Sequence, residues 1–163
     1  MAKDKITFYP IGIIHSPHND LTGMPIQPKA AAGVKGSVVV DPDYQEGLRD
    51  LEGFSHVILL FHFHQAKSPD MLVKPFLDDV KRGLFATRAP RRPNGIGISV
   101  VRLLAVKRNI LEIENVDILD GTPLLDIKPY VPDFDHQEEF RIGWLEKSKD
   151  KIDEKMSDDR FLY

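Results

Sequence analysis

Residues 98–114 of this 163-residue chain read ISVVRLLAVKRNILEIE, two apolar runs separated by the polar triplet Lys107-Arg108-Asn109. Val, Ile and Leu dominate both runs, as they do in β-strands, and a short polar break between such runs is typical of a hairpin tip. The second run, 110–114, partly alternates apolar and polar residues, as a strand with one buried face does. This stretch therefore predicts a β-hairpin.

Similar short apolar segments recur on both sides of the hairpin, punctuated by Gly, Pro, Asn or Asp, at 6–14, 37–40, 56–64, 84–87 and 124–127. Many strands at short spacing, with few long helical patterns, indicate a mainly β protein, either a sandwich or a barrel. Helices of a few turns are expected at 43–51 and 69–80. Leu145, Ile152 and Met156 are spaced for one face of a C-terminal helix over 137–156, and residues 20–35 predict a long loop.

The composition narrows the class of protein. The chain has no cysteine, which excludes disulfides, thiol catalysis and cysteine-ligated zinc. Its N-terminus lacks a signal-peptide pattern, and its longest apolar run, 57–61, is far too short to cross a bilayer. The Gly-x-Gly-x-x-Gly and P-loop motifs are absent, and no serine stands in a nucleophile elbow. We expect a soluble cytoplasmic protein without a Rossmann or P-loop nucleotide site.

A basic segment stands out in an otherwise acidic chain. Residues 81–108 contain eight Lys or Arg and no Asp or Glu, whereas the remainder carries 14 basic against 25 acidic residues, a formal charge of −11. Within this segment Arg88, Arg91 and Arg92 supply planar donors suited to phosphate or carboxylate, and Asn94 adds a donor and an acceptor. The segment predicts an anion-binding loop; a surface loop with solvated arginines is the alternative.

Two histidines are candidate metal ligands. His62 and His64 would share one face of a strand, and an aspartate such as Asp117 or Asp120 could join them. No fixed ligand spacing supports that arrangement, so we predict no metal site. We expect His64 and its neighbour Gln65 to face a pocket instead.

The segment 117–130 carries further polar candidates. Asp120-Gly121 is a turn motif, and carboxylates at 117 and 120 could perform acid–base chemistry, accept hydrogen bonds from an amine or a ribose, or simply link two strands. Lys128 and Tyr130 could offer nucleic acid a cation and a stacking ring, although a lone tyrosine more often serves packing.

Four segments in a fixed order carry a family resemblance. They are IGIIHSP at 11–17, LEGFSH at 51–56 running into FHQ at 63–65, FATR at 85–88 through RPN at 92–94 to IGIS at 96–99, and DGTP at 120–123 with DIKPY at 126–130. Together they resemble the TsaA-like family, also called TrmO or YaeB, of S-adenosylmethionine-dependent tRNA methyltransferases. The resemblance covers about residues 6–132.

This resemblance implies a closed, antiparallel-rich β-barrel over 1–132, followed by a C-terminal helical extension over 133–163 packed on the same domain. It implies a homodimeric enzyme with S-adenosylmethionine bound near the subunit interface. The substrate would be tRNA, methylated on the exocyclic N6 amine of threonylcarbamoyladenosine next to the anticodon. A non-catalytic RNA-binding barrel, and a methyltransferase of the same fold that acts on another substrate, are the alternatives.

A mechanistic hypothesis of methyl transfer, together with the resemblance, gives roles to individual residues. Asn94 and Tyr130 are the candidates to accept the proton of the attacking amine. Phosphates of the RNA would be bound by Arg91, Arg92 and Lys128. The implied cofactor contacts are Gln27, Pro28, Lys29, His64, Gln65, Arg88, Ile98, Ile118, Leu119, Asp120 and Gly121.

Overall fold

The computed structural model describes residues 4–151 and 156–161 of the chain. Its strands are β1 (Gly12–His15), β2 (Lys35–Val40), β3 (His56–His62), β4 (Leu72–Val73), β5 (Arg82–Gly83), β6 (Ile96–Lys107), β7 (Ile110–Glu114) and β8 (Thr122–Pro129). Six of them form a closed barrel in the order β1-β2-β7-β6-β3-β8, with every neighbouring pair antiparallel. The predicted mainly β fold is confirmed, and of the two alternatives it is the barrel.

The hairpin that the sequence indicates is the pair β6 and β7. Lys107 pairs with Ile110, so Arg108 and Asn109 alone form the turn, and Arg108 adopts a φ of 57°. The Asn109 side-chain amide donates to the carbonyl of Val40 at 2.7 Å, which fastens the hairpin tip to β2. The strand β6 begins earlier than expected, at Ile96.

Alternating side chains from all six barrel strands fill the core. The buried apolar residues include Ile14, Val38, Leu59, Val101, Ile113 and Leu124, one from each strand. Each such side chain contributes about 1.5–3 kcal/mol on burial. Gly97 faces inward on β6 and has no room for a side chain, because an added Cβ would lie 2.3 Å from Cε2 of Phe61. Ser99, the next inward residue of β6, is a buried polar group.

Three segments differ from their expected secondary structure. Residues 43–51 form the 3-10 helices Pro42–Leu48 and Leu51–Gly53. The expected helix at 69–80 is wrong, because β4 pairs there with β5 and Pro75 lacks the N–H that a helix interior requires. Residues 84–87, expected as a strand, contain the 3-10 helix Leu84–Ala86.

The C-terminal extension is less helical than expected. A four-residue α-helix, α1 (Pro132–Asp135), precedes a 3-10 helix at Gly143–Lys151, so residues 137–142 do not belong to a helix. Residues 152–155 lie outside the described part of the chain. Met156 forms a β-bridge with Pro25. Its backbone therefore bonds to a distant segment and does not continue the expected C-terminal helix. Within the described ranges, no helix has the length and apolar character needed to cross a membrane.

Candidate active site

A cavity of about 680 Å³ opens at the end of the barrel where β3 finishes. Its walls come from the loop 21–27, the segment 85–90, the turn 117–119 before β8, and the C-terminal extension. Aromatic side chains supply much of the lining, namely Phe61, Phe63, Phe76, Phe85, Trp144 and Phe161. A largely apolar cleft of this size with a few polar groups is typical of a small-molecule site.

The structure brings most of the expected cofactor contacts to this cavity. Those that line it are Gln27, His64, Gln65, Arg88, Ile98, Ile118 and Leu119. These residues come from five separate places in the sequence, and they meet because β3 and β6 are paired and the loops at their ends converge. Pro28, Lys29, Asp120 and Gly121 lie within two residues of a lining residue in sequence but do not line the cavity themselves.

The three arginines of the basic loop have different surroundings. Arg88 is exposed and lines the cavity. Arg92 donates to the carbonyl of Thr87 at 2.9 Å, and its guanidinium carbon lies 5.7 Å from the centre of the Phe85 ring. Arg91 donates through Nε to the carbonyl of Ser68 at 2.9 Å. Arg91 and Arg92 thus help to hold the shape of the loop that presents Arg88.

Asp120 fastens the turn before β8 to the end of β1. Its Oδ1 accepts a hydrogen bond from the backbone N–H of Ser16 at 3.0 Å and lies 3.1 Å from Nδ1 of His15. The hydrogen bond from Ser16, followed by the interaction with His15, lowers the pKa of this carboxyl. Gly121 adopts a φ of 73°, which suits glycine at the turn.

Asp117 is a cavity residue to which the sequence assigned no single role. Ser99 Oγ donates to Asp117 Oδ1 at 2.5 Å, which satisfies the buried hydroxyl on the inward face of β6. Burial of the carboxyl raises the pKa of Asp117 to about 6, although the Ser99 hydrogen bond and the charges of His18 and Arg88 act in the opposite direction. The cavity therefore holds a half-buried carboxylate that changes charge near neutral pH.

The expected proton acceptors do not reach the cavity. Tyr130 follows β8, and its ring packs edge-on against His56 with the ring centres 6.3 Å apart. β8 runs antiparallel to β3, pairing Leu124 with Phe61 at the cavity end and Pro129 with Val57 at the other. The strand therefore carries Tyr130 away from the cavity.

Asn94, the second expected proton acceptor, and Lys128, an expected phosphate contact, also lie outside the lining. Asn94 is in the loop before β6, where its carbonyl accepts a hydrogen bond from Ile96 N at 2.7 Å. Lys128, near the end of β8, forms an ion pair with Asp126 at 2.8 Å, and the hydrogen bond to Asp126 raises the pKa of the ammonium group. Across residues 4–151 and 156–161 there is no group of three or more His, Asp or Glu that could hold a metal ion.

Comparison with known proteins identifies the family. Residues 13–136 match the tRNA-methyltransferase O N-terminal domain. The chain belongs to the tRNA-methyltransferase O family. The resemblance read from the four ordered segments is thereby confirmed, and with it the assignment to methyltransferases that use S-adenosylmethionine.

Individual relatives support the same assignment. A Pyrococcus abyssi protein named a probable S-adenosyl-L-methionine-binding protein is 58% identical over 157 residues, which are 96% of this chain and 85% of that protein. The tRNA (adenine(37)-N6)-methyltransferase of mouse is 36% identical over 142 residues, which cover 82% of this chain but 32% of the mouse protein. The crystal structure of TrmO from Pseudomonas aeruginosa superposes with a TM-score of 0.74 at 42% identity, covering 86% of this chain and 63% of that one. The chain thus spans most of one relative and a part of the others.

The C-terminal extension closes one side of this cavity, and sequence reasoning missed this contribution. Ser157 exchanges two backbone hydrogen bonds with the loop at Gly23 and Met24, of 2.8 and 2.7 Å, and its hydroxyl bridges Met24 N and the Leu21 carbonyl. Farther along, Phe161 packs edge-on against Phe76 with ring centres 4.9 Å apart. The extension therefore contacts two walls of the cavity, the loop at 21–27 and the segment around Phe76. The extension is rich in charged residues, so its sequence does not indicate these few specific contacts.

Proposed function

We propose that this protein transfers a methyl group from S-adenosylmethionine to the N6 amine of threonylcarbamoyladenosine next to the anticodon of tRNA. The observation that carries this proposal is that two of the four family motifs, at 63–65 and 85–99, meet at one cavity together with Ile118. Relatives named as tRNA (adenine(37)-N6)-methyltransferases in mouse and rat support the choice of substrate.

The residues around the cavity fit the cofactor. Ile98 and Ile118 offer apolar walls on which a purine ring would stack, and Arg88 offers a planar donor for the amino-acid carboxylate. A volume of about 680 Å³ accommodates a nucleoside with an amino-acid side arm. S-adenosylmethionine supplies the electrophile, a methyl group on a sulfonium sulfur. The protein's contribution is to hold that group and to aim the amine along the line of displacement.

The basic loop would bind the RNA backbone. Arg91 and Arg92 stand beside the cavity on the loop that also presents Arg88, so phosphates bound there would bring the adjacent base to the cavity mouth. Lys128 lies at the other end of the barrel and is paired with Asp126, so it would contact a more distant part of the tRNA. Because this binding would involve phosphates, we expect the affinity of the protein for tRNA to fall steeply as the salt concentration rises.

A second copy of the chain would cover an apolar face of the barrel. The outward side chains of β3 and β6 include Ile58, Leu60 and Val100, and Ile98 on the same face is 47% exposed although it lines the cavity. An apolar patch that continues into a ligand cavity is what a homodimer with cofactor near the interface requires. Sedimentation of the wild type against a Leu60→Glu variant tests this, with dimer expected for the wild type and monomer for the variant.

Two measurements test the proposed activity. Calorimetric titration with S-adenosylmethionine should show one site per chain, whereas a non-catalytic RNA-binding barrel would bind RNA and not the cofactor. Mass spectrometry of nucleosides should then detect a methyl group on threonylcarbamoyladenosine after incubation with modified tRNA. Cofactor binding without that product would indicate a methyltransferase with another substrate. Unmodified tRNA, which should gain no methyl group at this position, is the matched control.

A further inference from the structure

Among the described residues, two aspartates line the cavity, Asp117 and Asp158, and of these only Asp117 forms no ion pair. Asp158 is paired with Arg160, whose guanidinium lies 2.6 Å from Oδ2. Asp117 instead accepts a neutral hydrogen bond from Ser99, and it stands directly before Ile118, one of the two residues proposed to sandwich the adenine of the cofactor. A carboxylate held in this way is able to accept a proton from a bound substrate.

We propose that Asp117 is the catalytic proton acceptor of the reaction and that Ser99 is its positioning residue. This inference rests on the proposed function. The Ser99 hydroxyl engages Oδ1, so we assign Oδ2 as the atom that meets the N6–H of the substrate. Ser99 is almost fully buried on a barrel strand, so it fixes the direction of the carboxylate more firmly than a loop residue would.

The step balances in atoms and charge. The bond between N6 and the methyl carbon forms as the bond from sulfur to that carbon breaks, and the breaking bond's electron pair stays on sulfur. N6 becomes more acidic as it loses electron density, and its proton passes to Asp117 Oδ2. The negative carboxylate and the positive sulfonium are thus both neutralised, which is favourable in a cavity with few polar groups. No other reactant is required.

The charges around Asp117 suit this role. Burial disfavours the ionised form, while Ser99 from β6, His18 from the loop after β1 and Arg88 from the basic loop favour it. The result is a pKa of about 6, so Asp117 is mostly ionised at neutral pH and still basic enough to accept a proton in the transition state. His18 itself is held by Nε2 against the carbonyl of Val116 at 2.9 Å.

Single-turnover kinetics test the inference. The rate of methylation of threonylcarbamoylated tRNA would be measured from pH 5 to 9 at saturating S-adenosylmethionine, with the cofactor Kd measured by calorimetry. For Asp117→Asn we expect the rate to fall by about a hundredfold or more, since general bases contribute about 10²–10⁴-fold. The cofactor Kd should stay within about threefold. For Ser99→Ala we expect the acid limb of the pH profile to move to higher pH while the plateau rate persists, because the lost hydrogen bond favoured the ionised carboxylate.

The control is Asp43→Asn, an exposed carboxylate outside the cavity lining, which should retain the wild-type rate and profile. A smaller loss of rate in Asp117→Asn, or an unmoved pH profile in Ser99→Ala, would overturn the inference. A tenfold or greater weakening of cofactor binding by Asp117→Asn, with the rate recovered at saturation, would make Asp117 a cofactor ligand instead. If the wild type itself transfers no methyl group to the modified tRNA, the proposed function fails and this inference fails with it.

Discussion

Replacing Asp117 by Asn should make the protein more stable at neutral pH. The side chain is half-buried, and its pKa of about 6 lies well above the ordinary carboxyl value of 3.8 because burial disfavours the charged form. An asparagine has nearly the same shape, keeps an oxygen to accept the hydrogen bond from Ser99, and carries no charge. The substitution therefore removes an electrostatic cost while preserving the packing.

The magnitude follows from the two pKa values. When a group binds its proton more tightly in the native state, the protein loses stability as the pH rises from the group's unfolded pKa through its native pKa. The difference between 3.8 and about 6 corresponds to about 3 kcal/mol at pH 7.5, an upper value because the side chain keeps some contact with water. At pH 4.5 the same calculation gives about 1 kcal/mol, because the native carboxyl is then protonated. The free energy of unfolding of the variant, relative to that of the wild type, should thus rise by about 2 kcal/mol from pH 4.5 to pH 7.5.

Urea denaturation of both proteins at the two pH values measures this difference. Trp144, the single tryptophan, reports on the cavity by fluorescence, and circular dichroism reports on the barrel. Protein concentration should be held constant, since dimer formation would also contribute to stability. Asp43→Asn should show no such pH-dependent gain. A variant that is less stable than the wild type at pH 7.5, or a difference that does not change with pH, would refute the argument that burial of charge controls this site.

Three further changes have defined expectations. Arg88→Ala should weaken S-adenosylmethionine binding in calorimetry by about tenfold to a hundredfold, the effect of losing a hydrogen bond to a charged group of about 1.5–3 kcal/mol. Ser157→Ala removes the hydroxyl bridge between the C-terminal extension and the cavity loop, so the N–H of Met24 should exchange hydrogen for deuterium faster and stability should fall by about 1 kcal/mol. Gly97→Ala would place a Cβ 2.3 Å from the buried ring of Phe61 and should lower the free energy of unfolding by about 1–3 kcal/mol, measured by urea denaturation.

Each of these changes has a matched control. Arg49→Ala removes an exposed arginine that is paired with Glu46 outside the cavity lining, and it should leave cofactor affinity unchanged. Gly95→Ala meets only an ordinary contact of 3.5 Å with the ring of His62, so it should be tolerated where Gly97→Ala is not. Ser157→Thr keeps the hydroxyl and should keep the slow exchange. Equal behaviour of any variant and its control would contradict the contact on which that prediction depends.

Sequence reasoning located much of the fold because barrel strands leave a local pattern. The β6–β7 hairpin is visible as two apolar runs around a polar turn, and the alternation in the second run indicates which face of β7 is buried. The same reasoning failed where structure depends on distant partners. The run at 69–80 looks helical in isolation, but β4 pairs with β5 and a proline interrupts it.

The sequence alone determined that this is a mainly β protein of the tRNA-methyltransferase O family, because apolar alternation and the order of short motifs are properties of the chain itself. Only the tertiary structure decided which polar groups share the cavity. Asp117 meets Ser99 across 18 residues, and Ser157 reaches the loop at Met24 across 133. Tyr130, despite its place in a family motif, is carried to the other end of the barrel by the antiparallel course of β8. The protonation state of a side chain and the groups it contacts depend on its burial and its neighbours. Burial and neighbours are set only when the barrel closes.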